Sequence, residues 1–253
     1  MVLLVILAML AAMLILLSVG HRLGSRRLGG ETEQERVGLV SIETAIFGLL
    51  GLIFAFTYSG AANRFEARRV LSIQEANAVG TTYLRLDLLP EAPRAALKEK
   101  LRRAGSLQVA AYDALPDLGA FEAKLSQAKA LHGELWAGAV AAAREAPAPA
   151  AQVLLPAITD MIDVVSNREA LARVHTPFPI VATLVALALF CSLLAGYGLA
   201  GSRMLSRYLH MGGFAAVLTL TIYIVLDYDH PRFGLIRVDF ADSALAAAVA
   251  AMK

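Results

Sequence analysis

Cysteine is nearly absent. Cys191 is the single thiol in 253 residues, which excludes a disulfide framework and a thiolate zinc site within one chain. Charge is also scarce, at 17% of residues against about 25% in soluble domains. It is balanced as well: 23 basic and 21 acidic residues give a net charge of +2, so no basic surface for nucleic acid is expected. Strand signals are few, and neither Asn-Gly nor Asp-Gly, the short hairpin turns, occurs. No P-loop, G-x-S-x-G elbow or pair of catalytic carboxylates is present. Of the five histidines, His21, His132, His175, His210 and His230, no two sit at helix-face spacing together with a carboxylate. We therefore expect no catalytic residues, no metal and no cofactor.

What the chain has in excess is apolar surface: 58% of residues are hydrophobic and the mean hydropathy is +0.61. A spanning helix needs about 20 apolar residues, because the hydrocarbon core is about 30 Å thick and a helix rises about 1.5 Å per residue. Four runs meet or approach this. Met1–Gly20 carries no ionisable side chain; its basic cluster follows the run instead of preceding it, so it reads as a retained span and not a leader. Val37–Ala62 is interrupted only by Glu43, an acid near the end of its span. Thr176–Ser202 is uncharged. Met211–Leu226 is short and spans if Tyr208, Leu209 and His210 extend it.

Between the second and third runs lies a segment of different character. Residues 63–175 hold 14 basic and 13 acidic side chains, which leaves 9 and 8 elsewhere. Prolines 90, 116, 147 and 149 cut this segment into helices, and apolar residues recur three and four apart, as at Leu125, Ala128, Leu131 and Leu135. No proline separates span two from the first of these helices, so Ile42–Leu89 is expected to run as one long helix. The expected fold is an all-α integral membrane protein. It divides into helices one and two (1–62), an extramembrane helical bundle (63–175), helices three and four (176–228) and a C-terminal segment (229–253).

Two motif matches are weighed and set aside. Gly196-x-Gly198-x-x-Gly201 fits a dinucleotide fingerprint, but it closes an uncharged run and follows no strand; its glycines suit close helix approach. Asp227, Asp229, Asp239 and Asp242 offer oxygen ligands, yet more sparsely than a hard-cation loop.

Span two is the most informative segment. Gly51, Ala55 and Ser59 form a small-residue stripe, and Gly48, Leu52 and Phe56 line the adjacent face. Around an axis shared by several copies, Leu52 and Phe56 would form apolar rings of the kind that gate by dewetting. Helix packing and lipid contact are the simpler uses of the same residues. Beyond the membrane, Arg64 and Arg68 share a face and are placed to attract anions, or else to bind lipid phosphate or pair with Glu66 and Glu75. Glu75, Asn77, Thr81 and Arg85 form a candidate polar seam on a helix otherwise rich in Ala, Val and Leu.

Three stretches, GLIFAFTYSGAANRFEARR (51–69), EANAVGTTYLR (75–85) and LDYDHPRFGLIRV (226–238), together resemble the bacterial bestrophin-like family, domain of unknown function 4239. The first also resembles the second span of true bestrophins, which are pentameric anion channels with an apolar neck. On that pattern Leu52 and Phe56 fall at neck positions, and Arg64, Phe65, Glu66 and Arg68 match the run that follows. Three departures stand out: the outermost neck position is Gly48, Thr57 and Tyr58 replace Arg and Asn, and one residue is missing between the arginine and the glutamate. The resemblance implies a bestrophin-like homo-oligomer, a pentamer, in the bacterial inner membrane. It would touch lipid and pass anions such as chloride. Counting positive residues beside the spans (Arg22, Arg26, Arg27, Arg36, Arg203 and Arg207 against Arg64, Arg68, Arg69, Arg168, Arg173, Arg232, Arg237 and Lys253) does not decide sidedness; the resemblance places the bundle in the cytoplasm. The competing expectation is a non-conducting, membrane-anchored interaction or scaffold protein.

Overall fold

The computed structural model describes residues 2–27, 33–115, 117–200, 204–230, 234–236 and 239–252. Gly201, Arg203, Arg232 and Arg237 lie outside the described residues, as do the side chains of Arg27, Arg36, Arg207, Asp239 and Asp242. The described residues form α1 (Val2–Arg27), α2 (Glu33–Arg85), a 3-10 turn (Leu86–Leu88), α3 (Glu91–Asp113), α4 (Leu118–Ala143), α5 (Ala148–Ala172), α6 (Phe178–Gly198), α7 (Met204–Asp229) and α8 (Asp239–Ala250). No strand occurs among them.

The chain divides into two compact units. One comprises Met1–Asn63 with His175–His230, the other Arg64–Val174 with Pro231–Lys253. Helix α2, 53 residues long, contributes its first part to one unit and its second part to the other. It spans about 80 Å at 1.5 Å per residue. The expectation of one helix across this boundary rested on the absence of proline, and the described helix starts nine residues earlier, at Glu33.

The first unit is held by close approach between α1 and α6. A methyl added at Gly196 would collide with the Leu17 backbone, and one at Gly20 with the Leu193 backbone. Without side chains at these points the helices pack backbone to backbone, the usual use of small residues in apolar helices. Met13, Leu17, Leu184, Ala188 and Cys191 fill this contact. Leu50 and Phe54 of α2 and Met211, Ala215 and Ile222 of α7 complete the core. Phe47 meets Phe214 edge to face at 6.0 Å between centroids.

In the second unit α3 and α4 form an antiparallel pair. Its register is marked by the Lys100–Glu134 ion pair at 2.7 Å and by Leu97 against Gly138. Asp117 caps α4, its Oδ1 accepting from the Ala120 amide at 3.0 Å. Helix α5 carries Pro156 in its interior and still places Leu154, Ile158 and Met161 in the core with Leu101, Leu135 and Leu245. The C-terminal segment, read from sequence as separate, folds into this unit: α8 packs on α3 where Val249 fills the space beside Gly105.

Among the described residues, five helices are long and apolar enough to cross a membrane: α1, α2, α5, α6 and α7. Sequence reading named four of these and not α5. That helix carries Asp160, Asp163, Arg168 and Glu169 in its second half and turns its apolar face into the second unit's core.

Candidate functional site

Helix α2 within the first unit has two unlike faces. Leu50, Phe54, Thr57 and Ala61 recur at four, three and four residues, and all are buried. The Thr57 hydroxyl donates to the Ile53 carbonyl at 2.7 Å, which satisfies it within the helix. At 100° per residue the line through Leu52 and Phe56 falls about 180° from this face. Leu52 is 52% exposed and Phe56 70% exposed. Neither is used by its own subunit's core. A methyl placed on Gly48 or Gly51 would touch nothing within 4 Å, and Ala55 and Ser59 of the small-residue stripe are exposed.

The predicted anion-attracting pair separates in the second unit. Arg68 is 8% exposed. Its Nη2 donates to the Val174 carbonyl at 2.7 Å and its Nε to the Leu171 carbonyl at 3.4 Å. Leu171 lies in the last turn of α5, its carbonyl also accepting from the Val174 amide at 3.2 Å, and Val174 lies just beyond the helix; a cation at this end complements the helix dipole. Arg68 therefore closes α5, and any pull on an anion acts through its field alone. Arg64 is half-buried. Arg69, next in sequence, is exposed and pairs with Glu66 at 2.8 Å; this hydrogen bond and charge raise its pKa. Val70, Asn77 and Thr81 on the same stretch of α2 are exposed.

The polar seam is not one face. Asn77 and Thr81 point outward. Glu75, two residues earlier and so about 200° away, is fully buried and ion-paired with Arg168, itself 5% exposed. The Arg168 guanidinium also lies 3.7 Å from the centroid of the Tyr112 ring. Arg85 turns back to its own bundle, donating to the Val153 carbonyl at 2.8 Å, and Thr82 donates to the Ala157 carbonyl at 3.1 Å. Both bonds tie α2 to α5. Sequence reasoning missed Arg168 as the partner of Glu75, because 93 residues separate them.

At the end of the first unit, Asp229 accepts from the Thr176 amide at 2.7 Å. This anchors the entry to α6, whose N-cap residue Pro177 has no side-chain cap. His175 and His230 stack with centroids 4.8 Å apart, and Tyr58 meets Tyr228 edge to face at 5.5 Å. Among the described residues no three His, Cys, Asp or Glu side chains are grouped to hold a metal ion.

A family model, the bestrophin-like domain, matches residues 6–241. The chain belongs to the bestrophin-like family. No curated protein matches it. Its fold is similar to a crystal structure of a mutant bacterial bestrophin homolog from Klebsiella pneumoniae (TM-score 0.71, 14% identity, covering 97% of this chain and 99% of that one). It is also similar to a structure of the bestrophin homolog from that organism phased with zinc (TM-score 0.67, 14% identity, 94% and 97% covered). A further match is a crystal structure described as that of a membrane protein (TM-score 0.73, 13% identity, 100% and 98% covered). This bestrophin-like chain is thus a membrane protein whose whole length, and not one segment, shares the fold.

Proposed function

We propose that this bestrophin-like protein assembles as a homo-oligomer, a pentamer, in the bacterial inner membrane, and that α2 from each copy lines an anion-conducting pore. The observation that carries this reading is the exposure of Leu52 and Phe56 on a helix whose opposite face forms the subunit core. Large apolar side chains left outside the subunit need lipid, a neighbouring copy or a conduit to face, and rings of them around an axis make a constriction that opens by wetting. The family is known for anion channels, and the resemblance of this stretch to the second span of bestrophins supports neck positions for these two residues.

In this reading Gly48 leaves the outer end of the neck wide. Arg64 and Arg68 would supply positive potential at its cytoplasmic end, with the helical bundle on that side. Chloride would move without covalent chemistry.

The test is chloride flux from liposomes containing purified protein, compared with Leu52→Ala and Phe56→Ala. Both substitutions should raise flux, since each removes apolar bulk from the constriction. Absence of flux in every form would leave a membrane-anchored scaffold. Flux that both substitutions leave unchanged would place the constriction elsewhere.

A further inference from the structure

The interior of the second unit holds polar atoms that no residue satisfies. Gln108 of α3 is completely buried, and both Oε1 and Nε2 of its amide lack a hydrogen-bond partner. His132 of α4 is 4% exposed, and its Nε2 is also without a partner. Leaving a buried amide unpaired costs folding free energy that native proteins rarely accept, and most such groups are met by an ordered water.

Helix register brings the two side chains to neighbouring levels. The Lys100–Glu134 pair and the Leu97–Gly138 contact place residue 103 of α3 opposite His132. Gln108 is then five residues along, about 7.5 Å at 1.5 Å per residue. Both side chains are buried. Small residues lie at the levels between them: Ala104 on α3 and Ala128 on α4 are fully buried. The Lys129–Glu169 ion pair, at 2.5 Å, sets α5 at the same level. The Glu75–Arg168 pair belongs to this layer as well, with Tyr112, one turn beyond Gln108, against Arg168.

We infer that this layer is an internal hydration site, one or two ordered waters bridging the Gln108 amide and His132 Nε2. The chemistry selects water over an ion. The amide needs a donor for Oε1 and an acceptor for Nε2, and a small neutral molecule that both donates and accepts serves both. The nearby charges cancel, since Glu75 and Arg168 pair with each other, so the layer offers no net charge to hold an anion or a cation. Burial keeps His132 neutral, with its pKa lowered to about 4, and a neutral ring accepts from or donates to water according to its tautomer. The hydration site lies apart from the outward face of α2 and does not depend on conduction.

Two measurements on the full chain in lipid nanodiscs test the inference. A structure resolved well enough to show solvent should contain density within hydrogen-bond distance of the Gln108 amide and of His132 Nε2. Absent density, or a direct Gln108–His132 bond, would overturn it. Thermal unfolding of Gln108→Leu, His132→Leu and the double variant provides the second arm. With a shared water each single substitution lowers the melting temperature, and the double lowers it by less than the sum, because the second removes a partner already lost. A melting temperature raised by Gln108→Leu, or strictly additive effects, would show the layer to be dry and uncoupled.

Discussion

Glu75→Leu, Arg168→Met and the two together probe a buried ion pair in the second unit. Glu75 is fully buried and Arg168 5% exposed, so neither charge reaches solvent when its partner is removed. Breaking such a pair from one side costs about 3–5 kcal/mol, because the remaining charge keeps its desolvation penalty without the attraction that offset it. Arg168→Met also loses the guanidinium over the Tyr112 ring, worth up to about 2 kcal/mol when desolvated, although methionine sulfur recovers part of this against the same ring. Glu75→Leu leaves a guanidinium that cannot shed its proton, and is expected to be the more damaging of the two. Removing both charges restores an apolar contact of similar volume and is expected to return stability to within about 2 kcal/mol of the parent. The assay is loss of helical circular dichroism against denaturant for the purified protein in detergent, run on all four proteins. A double variant as unstable as the worse single would refute the reasoning. It would show that the pair is held by hydrogen bonds to its surroundings more than by mutual charge.

Stability should fall with acid through His132. Its folded-state pKa, lowered to about 4 from 6.5 by burial, means that the neutral ring contributes above pH 6.5 and the contribution is lost as pH falls from 6.5 towards 4. The loss approaches about 3 kcal/mol, and His132→Phe should flatten the melting temperature over that window. Gly196→Ala should separate α1 from α6, since the new methyl meets the Leu17 backbone and a backbone cannot rotate away. Protease accessibility of α1 in the intact membrane protein should rise, and an unchanged digest would show that the helices slide past one another. Asp229→Ala should cost about 1–2 kcal/mol by freeing the Thr176 amide at the entry to α6; hydrogen exchange at Thr176 reports it, and continued protection there would mean that another acceptor takes over.

Composition and periodicity alone determined that this protein is helical and membrane-bound. Uncharged runs of 20 residues have no other stable home, and proline placement marks the ends of α3, α4 and α5 within a few residues. The continuity of α2 was legible for the same reason, as an absence of breakers, and Gly196 was legible as a close-approach residue because an apolar helix gains nothing else from glycine. Helix α8 was not, since the Ala-rich 239–250 stretch has neither the length of a span nor the charge of a surface helix. Its place depends on Val249 meeting Gly105, a contact between distant parts of the chain. The outward strip of Leu52 and Phe56 was visible as a face, but which side the core would claim depended on where α1, α6 and α7 packed. The arginines show the limit most clearly. Periodicity put Arg64 and Arg68 on one face and left anions, lipid phosphate and the nearby glutamates open as their partners. Only tertiary structure brought the carbonyl end of α5 to Arg68 and delivered Arg168 to Glu75, because the field a charge feels is set by neighbours that the local sequence does not contain.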